Sequence, residues 1–233
     1  MRDNTLWRPD SAGAARRNWM VRLAAVLVAS SRSGTAWGQA PSNPNLNAQL
    51  LVAARNNDLA SVERALAEGA APNSRNRLGK TALLMACEKG QAPLAATLLR
   101  AGADVNLASL EGVTPLMAAS YAGAAPVVKR LLEAGAKTDA RDRMNKPAMV
   151  YAAGQGSAGA IDALLASGID VDAAYEHGLT ALMWAAGQGQ ADAVRLLLAR
   201  GAKRELRDDR GLTAGEIARQ TNHVDVAEAI VKP

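Results

Sequence analysis

The chain has 233 residues, of which 49% are hydrophobic and 21% charged, and its mean hydropathy is −0.07. This balance is typical of a folded, soluble protein, and it excludes both an intrinsically disordered chain and a bundle of membrane-spanning helices. The net charge of +5 and the pI near 9.7 suggest a nucleic-acid or anionic-membrane partner, so the positions of the charges must be found before they are interpreted.

The first 40 residues have the layout of a secretory signal peptide. Arg16 and Arg17 precede the apolar segment 23–29, and residues 33–40 are mostly small. An apolar segment of this length suits a signal peptide but is too short for a stable membrane anchor. The sequence therefore predicts cleavage near Gly38 or Ala40 and export to the periplasm, with secretion from the cell as the second choice and no stable anchor afterwards.

Three alternatives for this segment remain open. Residues 15–20 resemble the twin-arginine export motif, with Trp19 where that motif prefers Phe. Met20 is a second candidate start, because Met20, Val21 and Arg22 followed by the apolar segment already form a compact signal peptide. A cytoplasmic N-terminus with an accidental apolar patch is the third.

The positive charge is concentrated in this leader. Residues 1–40 hold six Lys and Arg against two Asp and Glu, which leaves 21 against 20, a net charge of +1, for residues 41–233. Basicity is therefore no argument for nucleic-acid binding by the rest of the chain, and we predict no nucleic-acid partner.

After a short predicted linker, 41–47, the sequence repeats with a period of 33 residues. Equivalent positions are Thr81, Thr114, Pro147, Thr180 and Thr213. The predicted repeats are 48–80, 81–113, 114–146, 147–179, 180–212 and 213–233. A fixed period of this length indicates a stack of units whose apolar faces are buried only by their neighbours.

Each repeat is predicted to contain two helices and a projecting turn. The threonines are suited to cap the first helix, and glycines nine positions later, such as Gly90 and Gly123, are suited to close it. Leucine pairs such as Leu131 and Leu132 give the second helix its apolar face. A further glycine before the next cap, such as Gly79 or Gly112, indicates the turn of a β-finger. Repeat 147–179 lacks the Thr cap and is predicted to open first.

Two segments resemble the ankyrin repeat. Residues 114–119, TPLMAA, resemble the family's TPLHxA signature, and residues 131–136, LLEAGA, resemble the LLxxGA that ends its second helix. The chain is identified as a member of this family, although its signature His is replaced throughout. The resemblance implies an all-α solenoid of helix-turn-helix units with β-fingers. It also implies a non-catalytic module or scaffold that binds a protein through its concave face.

The family's binding surface is carried over to the finger tips and to the exposed ends of the first helices. The candidate contacts are Arg75, Arg77, Glu88, Lys89, Leu110, Tyr121, Arg141, Arg143, Met144, Gln155, Tyr175, Glu176, Gln188, Arg207 and Asp209. Apolar or aromatic groups surrounded by charge make good anchors, which favours Leu110, Tyr121, Met144 and Tyr175. Tyr151 and Trp184, at equivalent helical positions, are predicted to belong to the core.

Few residues suit chemistry. The single cysteine, Cys87, excludes an internal disulfide and occupies a small packing position. The two histidines, His177 and His223, lie about one and a half repeats apart, too far to share a metal or a catalytic triad. We therefore predict no cofactor, no metal and no enzymatic activity. The predicted function is protein binding in the bacterial periplasm by a monomer, and the alternative is a secreted effector that binds a host protein.

Overall fold

The computed structural model describes residues 44–231 as a stack of paired α-helices. The predicted signal peptide lies outside the described residues. The helices are α1 (Pro44–Asn56), α2 (Leu59–Ala67), α3 (Ala82–Glu88), α4 (Ala92–Arg100), α5 (Pro115–Tyr121), α6 (Ala125–Glu133), α7 (Ala148–Gly154), α8 (Ala158–Ala166), α9 (Ala181–Gly187), α10 (Ala191–Ala199), α11 (Ala214–Gln220) and α12 (Val224–Val231). The predicted all-α repeat solenoid is therefore confirmed.

The core is a thin layer of alanine and leucine that runs through the whole stack. The first helix of each repeat packs against its own second helix and against the first helix of the next repeat. Alanines such as Ala119 and Ala152 are fully buried where these first helices meet, and a side chain this small permits close approach. In each leucine pair the first member is fully buried, as at Leu98, Leu131, Leu164 and Leu197. Among residues 44–231 no helix is both long and apolar enough to cross a membrane.

Threonine caps set the start of the first helices. The hydroxyl of Thr81 accepts the amide of Leu84 at 3.1 Å, and Thr114, Thr180 and Thr213 act in the same way. Met117 takes a place usual for Glu or Gln, because its sulfur accepts the Thr114 amide at 3.4 Å. Pro147 provides no side-chain cap, so α7 begins without this stabilisation.

The N-terminal boundary differs from the prediction. Helix α1 begins at Pro44, so the segment 41–47 is not a linker along its whole length. The early start has a structural use, because the Asn47 side-chain oxygen accepts the amide of Ala71 at 2.8 Å. This hydrogen bond joins the first turn of α1 to the residues that follow α2.

The projecting turns, here called fingers 1 to 5, comprise residues 75–80, 108–113, 141–146, 174–179 and 207–212. They are hydrogen-bonded turns rather than β-strands, and the one bridge in the described residues pairs Ala174 with Thr180. In finger 1 the side-chain oxygen of Asn76 accepts the amides of Leu78 and Lys80, at 2.9 and 3.0 Å. Ser109, Asp142 and Asp208 act alike in their fingers. Finger 4 has Tyr175 at this position and forms a 3-10 turn, with His177 at a φ of +59°.

The series of hydrogen bonds between successive finger tips is interrupted at the junction of the third and fourth repeats. Amides donate to the carbonyl of the preceding tip at 3.0 Å between fingers 1 and 2, fingers 2 and 3, and fingers 4 and 5. The corresponding pair between fingers 3 and 4, Met144 and Glu176, has no such hydrogen bond in the part of the chain that the structure describes.

A second series of hydrogen bonds is interrupted at the same junction. Side-chain oxygens of Asn73, Asn106 and Asp172 each accept the amide 31 residues later, at 2.7 to 2.9 Å. Within residues 44–231 no equivalent bond joins Asp139 to Asp170. Both residues are aspartates, and repulsion between like charges disfavours their approach. One hydrogen bond of each series is therefore missing where the fourth repeat meets the third.

We expect amide hydrogen exchange to be fastest at this junction. Exchange in α7 and α8 should exceed that in α5, α6, α9 and α10, because opening there breaks fewer inter-repeat hydrogen bonds. The variant Asp139→Asn removes the charge and supplies a donor for the Gly168 carbonyl, so it should slow exchange in α7 and α8. Highest protection in α7 and α8, or faster exchange in the variant, would contradict the interpretation.

Two glycines of the fourth repeat should respond oppositely to replacement by Ala. A Cβ on Gly154, in the last turn of α7, would meet nothing within 4 Å, so Gly154→Ala should raise the free energy of unfolding by about 0.5–1 kcal/mol. A Cβ on Gly159 would lie 2.9 Å from the Ala125 Cβ, and Gly159→Ala should bring no gain. Urea titrations of both variants make the comparison. Equal stabilisation by the two would show that α6 and α8 are not packed this closely.

Candidate functional site

The fingers and the first helices line one continuous surface, here called the inner surface. Three finger side chains, Lys80, Lys146 and Arg207, each contact a residue of a first helix. The Lys80 ammonium pairs with the Glu88 carboxylate at 2.5 Å, and Lys146 contacts the ring of Trp184. Arg207 of finger 5 pairs with Glu216 at 3.2 Å. These contacts fix the finger side chains beside the helices.

Three aromatic side chains form a cluster in the middle of this surface. The rings of Tyr121 and Tyr151 meet edge to face with centroids 6.0 Å apart. The Lys146 ammonium lies 5.0 Å from the centroid of the Trp184 ring, within range of a cation–π interaction. The Tyr151 hydroxyl donates to the carboxylate of Asp142 in finger 3. Tyr121, Tyr151 and Trp184, here called the aromatic cluster, line one cleft together.

Two clefts open on either side of Tyr121 and Tyr151. The first, of about 190 Å³, is lined by the aromatic cluster together with Lys146 and Gly154. The second, of about 350 Å³, lies between the two tyrosines and Glu88. Glycine keeps the first cleft open, because Gly154 occupies the position that Tyr121 holds in the preceding repeat. Both clefts are partly open to solvent, and their volumes suit individual side chains of a partner.

Burial and hydrogen bonding keep the hydroxyl of Tyr151 protonated. Burial raises its pKa, and the hydrogen bond to Asp142 raises that pKa further. The hydroxyl therefore remains a donor throughout the neutral range.

The Trp184 indole N–H has no acceptor among the described residues.

Comparison with known protein families decides the assignment. The family model described as Ankyrin repeats (3 copies) matches residues 50–142 and 148–233. The chain belongs to the ankyrin-repeat family. Ankyrin repeats are generally protein–protein interaction modules, and proteins built from them are typically non-catalytic. No curated protein matches this chain.

Several predicted contact residues of these ankyrin repeats are exposed on the inner surface or at the finger tips. Leu110, Tyr121 and Met144 are more than half exposed. The other predicted contacts that are exposed are Arg75, Arg77, Glu88, Lys89, Arg141, Arg143, Gln155, Gln188, Arg207 and Asp209. Several of these already have partners within the chain. Glu88 pairs with Lys80, Arg143 pairs with Glu111, and the Lys89 ammonium donates to the Arg55 carbonyl.

Three of the predicted contacts also have a structural role that the ankyrin resemblance did not indicate. Arg75, Arg141 and Arg207 each donate to the carbonyl four residues later in their own finger. Arg75 also donates to the Ala108 carbonyl of the next finger. Their guanidinium groups stabilise the turns. Replacing one of these arginines would therefore disturb its finger as well as any contact with a partner.

Tyr175 is less exposed than the other three predicted anchors, Leu110, Tyr121 and Met144. Its ring is partly buried against the core, and burial raises its pKa to about 12. Its neighbour Glu176 is also only partly exposed and lies 3.9 Å from His177. The side chain of Cys87 is fully buried, and burial raises the pKa of its thiol, which disfavours the reactive thiolate.

Tyr151 and Trp184 were predicted to belong to the core, and both side chains are partly buried against it. Both are partly exposed on the inner surface of the ankyrin stack. The sequence held a signal for this placement, because an aromatic pair stands at equivalent positions beside Gly154 and Gly187. A bulky residue next to glycine on a short helix needs space that an alanine-rich core does not provide.

Proposed function

We propose that this protein is a non-catalytic module that binds a protein partner through the aromatic cluster on its inner surface. One observation carries the proposal: Tyr121, Tyr151 and Trp184 line a common cleft, in which the two tyrosines meet edge to face and Lys146 lies over Trp184. Side chains that are already held lose little conformational freedom on binding. Aromatic residues in such positions dominate the binding energy of many interfaces.

We propose further that the protein acts in the bacterial periplasm after removal of residues 1–40. The twin arginines, the short apolar segment and the small residues before position 41 support this location. The second candidate is a secreted effector that binds a host protein through the same surface. The two differ only in destination, and in both the mature chain acts as a monomer without a membrane anchor.

Affinity isolation from periplasmic extract tests the binding proposal. The mature protein should retain a protein that is lost with the double variant Tyr121→Ala, Trp184→Ala. Val224→Ala is the matched control, because Val224 is an exposed apolar residue at the start of α12, outside the cluster. Retention of every partner by the double variant would overturn the proposed surface.

Cell fractionation with N-terminal sequencing tests the location separately. A mature N-terminus near residue 39 or 41 in the periplasmic fraction supports export. Recovery of the intact chain from the cytoplasm would overturn the proposed location and leave the binding surface untouched. Recovery of the cleaved chain from the medium would favour the secreted effector.

A further inference from the structure

The tips of fingers 1 to 3 carry a row of exposed apolar side chains. Leu78, Leu110 and Met144 are 61%, 56% and 57% exposed. The Leu110 amide donates to the Leu78 carbonyl at 3.0 Å, so the first two tips are directly joined. The tips of fingers 4 and 5 are polar, and the row therefore ends at the third finger.

The same three fingers also concentrate positive charge. Fingers 1 to 3 hold six cationic and two anionic residues, a net charge of +4, whereas fingers 4 and 5 hold two cationic and three anionic residues, a net charge of −1. The cations are Arg75, Arg77, Lys80, Arg141, Arg143 and Lys146, and the anions are Glu111 and Asp142. Because residues 41–233 carry only +1 in total, this excess is a local feature of the first three fingers.

Arg143 is available to a partner. Its side chain is 66% exposed, and its ion pair with Glu111, at 3.5 Å, is exposed as well. Exposed pairs of this kind contribute little to stability, so a carboxylate from a partner can replace Glu111 at small cost. Arg77 lies at the equivalent place beside the tip of finger 1 and is also exposed.

We propose that the tips of fingers 1 to 3 bind a partner segment that combines acidic with apolar side chains. This inference rests on the proposed function and narrows its partner. Apolar side chains of the segment cover Leu78, Leu110 and Met144, while its carboxylates lie beside Arg77 and Arg143. Burial of the apolar groups provides affinity, and the charges provide selectivity and faster association.

An anionic membrane surface shares part of this chemistry, but the charge distribution disfavours it. A flat membrane in contact with the row of tips would also meet fingers 4 and 5, where Glu176 and Asp209 are repelled by anionic lipid. A peptide segment, in contrast, can end at the third finger. The boundary between apolar, cationic tips and polar, anionic tips therefore favours a segment of limited length.

Fluorescence anisotropy with labelled dodecapeptides tests the proposal on the full chain. The probe alternates Glu with Leu, and its controls alternate Lys with Leu and Glu with Ser. We expect the Glu/Leu peptide to bind at least tenfold more tightly than either control and to bind more weakly as salt is raised. Vesicles of phosphatidylglycerol test the membrane alternative. The Arg143→Glu variant and the unchanged chain should bind these vesicles equally, because the fingers are not expected to contact lipid.

Two variants locate the binding. Arg143→Glu and Leu110→Ser should each weaken binding of the Glu/Leu peptide at least tenfold. Arg195→Glu is the matched control, because Arg195 is also 66% exposed and forms one exposed ion pair, with Asp192 of α10. It should change the affinity by less than twofold. All variants keep the leader, so its charge does not affect the comparison between variants.

Several results would overturn the inference. They are equal binding of the Glu/Leu and Lys/Leu peptides, an equal effect of Arg143→Glu and Arg195→Glu, absence of any peptide binding, or vesicle binding that depends on Arg143. If a partner is still isolated through the aromatic cluster, the proposed function stands and only the acidic, apolar segment is excluded. Absence of both peptide binding and partner isolation would exclude the inner surface as a binding site.

Discussion

Replacing Leu131 by Ala is expected to lower the free energy of unfolding by about 2–5 kcal/mol. Leu131 is fully buried in α6, in the middle of the stack, and its removal leaves a cavity that the neighbouring repeats cannot fill completely. The loss should spread beyond the third repeat, because every repeat buries its apolar face against its neighbours. Urea unfolding followed by circular dichroism measures the change.

Leu132→Ala provides the control at the adjacent position. Leu132 is only partly buried, so the same chemical change should cost clearly less than it does at Leu131. The pattern should recur at Leu164 and Leu165 of α8, where the first residue is again fully buried and the second partly so. Equal losses at both members of a pair would mean that the second helices are rotated relative to the structure described above.

Removing the Tyr121 ring should weaken partner binding by about 2 kcal/mol or more, which is about thirtyfold. Tyr121 is 56% exposed, and its ring meets Tyr151 edge to face at the boundary of both clefts. The expected result for Tyr121→Ala is a faster dissociation rate with little change in the association rate. Surface plasmon resonance with the isolated partner measures both rates.

The stability of this variant separates binding from folding. An exposed side chain contributes little to the core, so Tyr121→Ala should unfold within about 1 kcal/mol of the unchanged chain. Tyr121→Phe should retain most of the affinity, because it keeps the ring and its contact with Tyr151. A variant that unfolds early, or a loss of affinity as large for Phe as for Ala, would contradict an anchoring role for the ring.

Most of the fold followed from local chemistry in the sequence. Threonine caps and residues at positive φ, such as Gly90 and Asn222, mark helix ends through interactions within a few residues of the chain. The period of 33 residues then stacks the units. The early start of α1 was missed because its support comes from a contact between Asn47 and Ala71, 24 residues apart.

The site was less predictable than the fold, because its residues act across repeats. Arg207 resembled an exposed surface residue in the sequence, but it donates to the carboxylate of Glu216 in α11. Trp184 resembled a core residue, but Lys146 of finger 3 lies over its ring. Neither pairing follows from helical periodicity, since each depends on how a finger folds back onto a first helix.

Site-specific photo-crosslinking in the native cell tests the central claim most directly. A benzoylphenylalanine replaces Gln155, an exposed residue that lines the cleft beside the aromatic cluster, or Lys129, an exposed residue of α6. We expect a discrete protein adduct from position 155 and none from position 129. An adduct from position 129 with none from position 155 would contradict binding through the inner surface.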